Sequence, residues 1–452
     1  MIADKFAEVW ERAGFTEETP IQTAVAEPLA RDENIIGLAP TGSGKTLAFG
    51  LPLLTKIVPD DGLQLLILAP AQELAIQTRD VLIPYAQAIG VRIMAVTGNA
   101  NVARQKEQLK KHPEVIVATA GRLLELISDG KVRLGRLQTI VVDEADELLR
   151  QPGLDQVREI VQDAPADVQM TYFSATSSPI LRELSKWFGS DARVIDVRPI
   201  DKTQGPVEHY FLQGGREHQV EWLGRLARQP KFSALVFFNK NTSLTRVAGI
   251  LRHQKVSFAV LDRNDRSMAR KQALALFRKG KITLLLVTDL AGRGLDIPKL
   301  PAVINFEVPR NATTYIHRAG RTGRMGNPGL VITMGDDHDL RNLRHLASDY
   351  DIKRAYVVSD GLSTEKPVID PEKLAENAPR TKRDAGGQKA SRFSKNGPRP
   401  GADPKRDDKA RGGQSRFGGK PADDESARKP HKKNRARNQK SKGKPKNKKR
   451  VD

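Results

Sequence analysis

The chain of 452 residues contains no cysteine. That absence excludes disulfides, thiolate metal sites and cysteine nucleophiles, and it fits a protein of a reducing compartment. The eight histidines are scattered without the spacing of metal ligands, which leaves Mg²⁺ held by oxygens as the expected metal. No apolar run reaches the roughly 18 residues that a membrane span needs. The opening residues, Met1-Ile2-Ala3-Asp4-Lys5-Phe6, lack the basic-then-apolar layout of a signal peptide, so a cytoplasmic location is expected.

What the chain has in excess is positive charge, +21 in total, and it is unevenly spread. From Asn377 to Asp452 there are 26 Lys and Arg against 8 Asp and Glu, whereas the remaining residues hold 49 against 46. The folded part is therefore near neutrality, with a length that suits two or three domains. From about Gly361 the apolar residues thin out, and a segment of that composition cannot bury a core, so it is expected to be disordered.

One stretch organises the rest: Ala39-Pro40-Thr41-Gly42-Ser43-Gly44-Lys45-Thr46, with a short apolar run, Ile35–Leu38, before it and a helix-like segment after it. A glycine-bearing loop between a strand and a helix N-terminus presents consecutive N–H groups to a polyphosphate. Lys45 is then placed for the β- and γ-phosphates and the Thr46 hydroxyl for Mg²⁺. The pattern departs from the usual P-loop in having Ala39 at its first position.

Between residues 35 and 176, short Val/Ile/Leu runs alternate with helical periodicity, at Leu63–Ala69, Arg92–Thr97, Val115–Ala118, Thr139–Val142 and Met170–Phe173. Such runs imply a parallel sheet covered on both faces, with ligands at the carboxyl ends of its strands. Ile140-Val141-Val142 leads into Asp143-Glu144-Ala145-Asp146, so a buried strand delivers adjacent carboxylates. Asp143 is expected to hold the metal and Glu144 to orient or deprotonate the attacking water. Ser174-Ala175-Thr176 brings two hydroxyls to the same sheet edge. Residues 198–206 read as a linker, after which the rhythm restarts with runs at Ala234–Phe238, Ser257–Leu261, Ile282–Val287 and Ala302–Phe306 and a helix at Met268–Lys279. The second half has no P-loop. It carries Thr288–Asp296 on a loop and then Tyr315-Ile316-His317-Arg318-Ala319-Gly320-Arg321-Thr322-Gly323-Arg324. Guanidinium groups spaced by glycines suit the charge of a phosphoryl transition state.

In this ordered series the chain resembles the DEAD-box ATP-dependent RNA helicases across about residues 6–357. The resemblance implies an α/β fold of two tandem RecA-like domains, each a parallel sheet flanked by helices, with a basic tail. The expected limits are 1–199, a linker at 200–206, 207–358, and a tail at 359–452. It implies ATP and Mg²⁺ as cofactors and RNA as partner. Thr19–Gln22 is similar to the Q motif, where Gln22 would read the adenine edge and Phe15 would stack on the ring. Ala39, Thr41, Gly42, Ser43, Gly44, Lys45, Thr46 and Asp143 would hold the nucleotide, together with Gly294 and Asp296 near the ribose or phosphate water. Lys45, Glu144, Arg321 and Arg324 would act in catalysis, with the two arginines in the arginine-finger places. Ser174, Thr176 and His317 would couple hydrolysis to strand separation.

On the RNA side the resemblance points to Gln72, Gly98, Thr119, Gly121, Arg122, Arg270 and Thr288. Here the chain departs from the family pattern. Ala71-Gln72 stands where Thr-Arg is usual, Asn99 replaces a glycine, Ala120 replaces a proline, Asp262-Arg263 replaces His-Gly, and Ser267 replaces the glutamine ahead of Arg270; Glu18 likewise replaces a proline of the Q motif. The function expected is local, non-processive unwinding of short RNA duplexes or remodelling of RNA–protein complexes, in ribosome assembly, RNA decay or cold adaptation. Ribosomal precursor particles or an RNA-decay complex are the expected assemblies. The tail, with Phe393 and Phe417 among its arginines and glycines, reads as a non-specific RNA tether. An RNA chaperone or annealer dominated by that tail, with ATP only regulating the grip, is the alternative.

Overall fold

The computed structural model of the chain describes residues 4–98, 101–189, 191–261, 267–292, 295, 297, 299–358 and 361–366. Asn99, Asp262, Arg263, Gly294, Asp296, the side chain of Ser267 and the basic tail from 367 lie outside the described residues. No helix among those described is long and apolar enough to cross a membrane.

Seven strands build the first sheet: β1 (Ile35–Leu38), β2 (Leu65–Leu68), β3 (Ile93–Val96), β4 (Val115–Ala118), β5 (Thr139–Val142), β6 (Gln169–Ser174) and β7 (Arg193–Asp196). Their order is β3-β4-β2-β5-β6-β1-β7, and every pairing is parallel. The apolar runs are continuous because both faces are covered. Along β2, Leu65 and Ile67 enter one core while Leu66 and Leu68 enter the other. The first core is filled by helix Lys45–Lys56, whose Leu47, Ala48, Leu51 and Leu54 recur at helical spacing. Each of these leucines taken fully from water contributes about 1.5–3 kcal/mol.

The second sheet repeats the plan. Its strands are β8 (Val207–Gln213), β9 (Ala234–Phe238), β10 (Phe258–Leu261), β11 (Leu284–Thr288), β12 (Ala302–Asn305), β13 (Gly329–Gly335), β14 (Ile352–Val358) and β15 (Gly361–Ser363). The order is β10-β11-β9-β12-β13-β8-β14-β15, parallel except where β15 returns along β14. Two tandem RecA-like domains are thus present, as the resemblance implies. The second sheet runs on to Ser363, beyond residue 358 where the domain was expected to end. The short return strand is added because Leu362 packs on the core of that sheet.

Helix Ala312–Ala319 lies against β12 and carries the arginine-rich run out of its C-terminus. Its orientation is held in part by a buried ring cluster. His209 of β8 shares a 2.6 Å hydrogen bond with the Tyr315 hydroxyl and lies 4.6 Å, centroid to centroid, from Tyr350. Burial pushes the His209 imidazole down to about 4, against a smaller upward pull from Asp351.

The unfolded chain therefore binds a proton at His209 before the folded one does. Stability associated with this group is complete above pH 6.5 and is lost as pH falls towards 4, by up to about 3 kcal/mol. His209→Asn, which keeps an acceptor without titrating, should flatten that acid limb of urea unfolding relative to the parent. An unchanged limb would show that His209 does not titrate as its burial requires.

Candidate nucleotide and RNA site

Strand order decides which loops meet. The loops leaving β5, β6 and β1 are neighbours, which brings Asp143, Ser174 and the 39–46 loop together. The Ala39 N–H donates to the Ser174 carbonyl at 3.1 Å, and the Asp143 N–H to the Leu68 carbonyl at 2.9 Å. The loop turns through Gly42 and Gly44, with φ of 85° and 84°, where a side chain would be strained. Ser43 is fully buried and its hydroxyl has no partner. Lys45 opens helix Lys45–Lys56 and folds back, its ammonium donating to the carbonyls of Pro40 at 2.7 Å and Ala39 at 2.9 Å. Thr46 follows it in the first turn, half-buried.

The electrostatics of this pocket are those of buried charges in close company. Burial lowers the Lys45 ammonium, and the carboxylates of Asp143, Glu144 and Asp146 oppose that shift. Asp143, 4% exposed, is pushed up to about 7, by burial first and then by the charge of Glu144. Glu144 holds a left-handed backbone, φ 45° and ψ 51°, which is uncommon for a side-chain-bearing residue and is met at functional sites. Its N–H donates to the Asp143 carboxylate at 2.9 Å. Burial alone would raise Asp146, yet contacts with His317 and with Thr176 and Ser174 outweigh it and hold the carboxyl below the usual range.

The second domain reaches this pocket. Arg321 Nη2 stands 3.7 Å from Glu144 Oε1, and His317 Nε2 stands 3.2 Å from Asp146 Oδ2. The Thr176 hydroxyl also donates to Asp146, and Ser174 Oγ donates to the Thr176 carbonyl at 2.7 Å. The Arg324 stem lies over Gly42, where an added Cβ would meet its Cγ at 3.2 Å. Arg324 Nε donates to the Gly320 carbonyl at 2.8 Å. Thr41 packs so tightly on Gly320 that a Cβ there would sit 2.6 Å from Thr41 Cβ.

The upstream residues bind the loop rather than stand apart from it. Thr19 Oγ1 donates to the Ser43 carbonyl at 2.8 Å, and Gln22, 7% exposed, accepts from the Thr19 N–H at 2.8 Å. The Gln22 amide nitrogen faces the Gly44 carbonyl at 3.4 Å, so both ends of the amide have protein partners here. Phe15 packs on Trp10, 4.9 Å between centroids.

The other half of the same edge collects the residues named for RNA. The loops after β3, β4 and β2 carry Gly98, Thr119 and Gln72, side by side. Gln72 donates to Glu73 at 3.0 Å. Thr119 precedes helix Ala120–Ser128, which contains Gly121 and Arg122. Arg122 pairs with Glu125 through Nη1, while its buried Nε and Nη2 have no partner. Thr288 ends β11, half-buried. Arg270 behaves differently from the rest. It is 8% exposed, donates to the Ala291 carbonyl at 2.6 Å and lies 3.3 Å from Glu73 of the first domain.

Arg318 was not singled out in the sequence, and it is the largest fully buried side chain among the described residues. It clasps Asp289 with Nε at 2.6 Å and Nη2 at 2.8 Å. It also donates to Asn239 at 2.7 Å, to Asn305 at 3.1 Å and to the Glu307 carbonyl at 3.0 Å. The signal available was that Asn239, Asp289 and Asn305 are polar residues at the ends of three apolar runs. Nothing in their spacing says that one guanidinium joins them.

Comparison with known proteins adds to this geometry. Residues 19–184 match the DEAD/DEAH box helicase family, and residues 218–326 match the helicase conserved C-terminal domain. A Bacillus subtilis (strain 168) protein, named as the probable ATP-dependent RNA helicase YfmL, is 35% identical over 359 residues, which cover 78% of this chain and 94% of that one. The DEAD-box ATP-dependent RNA helicase CshC of Bacillus cereus is 34% identical over 341 residues, 75% and 87% of the two chains. Among solved structures, S. cerevisiae Dbp5 bound to RNA and ADP BeF3 is similar with a TM-score of 0.70 at 26% identity, covering 78% of this chain and 93% of that one.

Two outcomes test the geometry. Gly320→Ala fits its own backbone, since φ is −66°, but crowds Thr41 of the other domain. Overpacking of about 1–3 kcal/mol predicts a loss of about fivefold to 150-fold in ATP turnover with little change in melting temperature. Normal turnover would mean that the two domains do not meet here while working. Separately, the stability supplied by neutral Asp143 is complete below 3.8 and is lost as pH rises to about 7. In nucleotide-free protein, Asp143→Asn should therefore stabilise against urea by an amount that grows over that interval and levels off above it.

Proposed function

The chain belongs to the DEAD-box ATP-dependent RNA helicases, and from that membership we propose that ATP hydrolysis in a cleft completed by both domains drives local unwinding of short RNA duplexes or remodelling of RNA–protein complexes. It is an enzyme, an ATP-dependent RNA helicase, which uses a nucleotide and has RNA as its partner. The observation that carries the finer reading is the meeting of Arg321 with Glu144 and of Gly320 with Thr41, because hydrolysis then needs the domains together.

The residues present fit a nucleotide with Mg²⁺. A glycine-turned loop, a buried unpartnered Ser43 hydroxyl and a buried Asp143 carboxyl raised to about 7 form a donor set suited to phosphates and a hard cation. Mg²⁺, when bound, would offset the negative charge of the phosphates. Thr46 and Asp143 would hold it. Lys45 places its ammonium at the phosphates, exchanging the loop carbonyls for them. Glu144 accepts the proton of the attacking water or orients it, and its unusual backbone aims the carboxylate. Arg321 and Arg324 supply positive charge that counts most in the transition state. Thr176, Asp146 and His317 form a chain across the cleft, which supports a coupling role for them and for Ser174.

For RNA, the two bare N–H groups of Arg122 and the adjoining loops with Gly98, Thr119, Gly121 and Gln72 support a backbone-binding edge shared with Thr288. Arg270 reads better as a tie to Glu73 than as a direct phosphate ligand, because its guanidinium is already buried between protein acceptors. Gln22 reads as a brace of the P-loop as well as an adenine contact; Phe15, Gly294 and Asp296 keep the roles that the family resemblance assigns. We place the protein in the cytoplasm, in ribosome assembly, RNA decay or cold adaptation, with precursor particles or a decay complex as partners, on its similarity to bacterial relatives. The basic tail would tether RNA.

The test is ATPase rate against RNA concentration, at two salt concentrations, for the full chain and for a chain ending at Lys366, which retains β15. Both should reach the same maximal rate, with the shorter chain requiring more RNA and being less sensitive to salt. Glu144→Gln should bind ATP and RNA yet lose about 100-fold or more in turnover. A shortened chain that RNA never stimulates would favour the tail-dominated chaperone instead.

A further inference from the structure

Both sheets are parallel, so strands are entered from the edge opposite the nucleotide. In the second sheet β10, β11 and β9 are consecutive, with Phe258 paired to Leu284 and Leu284 to Ala234. Their entry loops therefore stand side by side, about 5 Å from one to the next. The loop before β9 brings Arg228 and Lys231. The entry to β10 brings Arg252 and Lys255, and the entry to β11 brings Arg278, Lys279 and Lys281. All are exposed, Lys299 stands beside them ahead of β12, and no Asp or Glu occurs in 228–233, 252–257 or 278–283.

Helices end at this edge, and a helix C-terminus favours cations. That cannot be the whole cause, because the first domain has the same layout with a balanced edge. There Arg92 pairs with Asp60 at 2.8 Å and with Glu114, Arg136 pairs with Asp61, and Lys56 pairs with Asp32. In the second domain Lys231, Lys255, Lys279 and Lys281 have no carboxylate partner among the described residues. Arg252 lies over the Phe258 ring, 6.0 Å from its centroid. The cations also occupy only half of the edge, since Asp349 and Asp351 precede β14 at the other end.

Beside β10, which ends the sheet, a groove of about 510 Å³ runs between Arg252, Lys255 and the half-buried Phe258. A row of exposed lysines and arginines on loops without carboxylates, leading into a groove at the sheet edge, is the arrangement that follows a sugar-phosphate strand. We propose that this face is a second RNA contact, holding a single-stranded segment of the substrate outside the catalytic cleft. It rests on RNA being the substrate. An acidic protein would meet the same cations, but RNA is already this chain's partner and offers one phosphate after another to cations spaced along an edge.

The experiment compares the full chain with Lys255→Glu/Lys279→Glu/Lys281→Glu, using oligouridylates of about 10 and about 40 nucleotides as probes. A control, Lys111→Glu/Lys131→Glu/Arg133→Glu, makes the same charge change at exposed positions on the equivalent edge of the first domain. The expected result is a Kd for the long RNA raised about tenfold near 0.1 M salt, with the slope of log Kd against log salt reduced by about 2. Short-RNA affinity and the ATPase rate at saturating short RNA should stay within about twofold, as should the control on both lengths. Equal loss on both lengths, equal loss in the control, or unchanged long-RNA binding each overturns the proposal; the last would leave an acidic protein as the occupant. A parent chain whose ATPase ignores RNA would instead overturn the substrate reading, and this contact with it.

Discussion

The second domain's share of the cleft depends on one buried cation. Arg318 has 1% exposure, and a guanidinium in such a place is tolerated only when its N–H groups are met by a carboxylate and carbonyl oxygens. Asp289, Asn239, Asn305 and the Glu307 carbonyl do this from the ends of β11, β9 and β12. Removing one member of a buried pair of this kind costs about 3–5 kcal/mol. The clasp therefore fixes helix Ala312–Ala319 to three strands at once. His317, Gly320, Arg321 and Arg324 leave that helix at a set angle, and the Tyr315–His209 bond adds a further tie about one turn earlier on the same face.

In the first domain the corresponding constraint is strand order. Parallel pairing puts all the carboxyl ends on one edge, and the order β3-β4-β2-β5-β6-β1 divides that edge. The β5, β6 and β1 loops bring together the residues proposed for the nucleotide, while the β3, β4 and β2 loops bring together those proposed for RNA. The Asp143 N–H donates to the Leu68 carbonyl and so extends the β2–β5 pairing up to the point where the two halves abut. Contacts also cross the cleft, from Thr176 through Asp146 to His317 and from Glu73 to Arg270.

The same packing stores electrostatic tension in the pocket. Burial moves Lys45 down and Asp143 up, each towards its neutral form, while the neighbouring carboxylates oppose the first shift and the charge of Glu144 adds to the second. A phosphate chain with a cation would relieve both at once. The pocket is thus arranged for ligands more than for stability, and the left-handed backbone of Glu144 is a further cost of the same kind.

Much of this was legible along the chain because its signals are local. The P-loop at 39–46, the carboxylates after Ile140–Val142 and the paired apolar runs each need only a few consecutive residues, and they specify two parallel sheets and a nucleotide loop by themselves. Strands β7, β8, β13, β14 and β15 were not read from the chain; Arg193–Asp196 is largely exposed and lacks an apolar run, and Val207–Gln213 and Ile352–Val358 mix polar with apolar residues. The bonds of Gln22 to Thr19 and Gly44, the Arg318 clasp, the tie of Arg270 to Glu73 and the ring cluster at His209 were not legible either. Most of those partners are separated by tens to hundreds of residues, and composition says nothing about which distant acceptor a buried donor will meet. The chain by itself determined the local conformations and the chemistry of each loop. Only the packed sheets decided which loops face one another, because that follows from strand order and from the need to satisfy every polar group that packing removes from water.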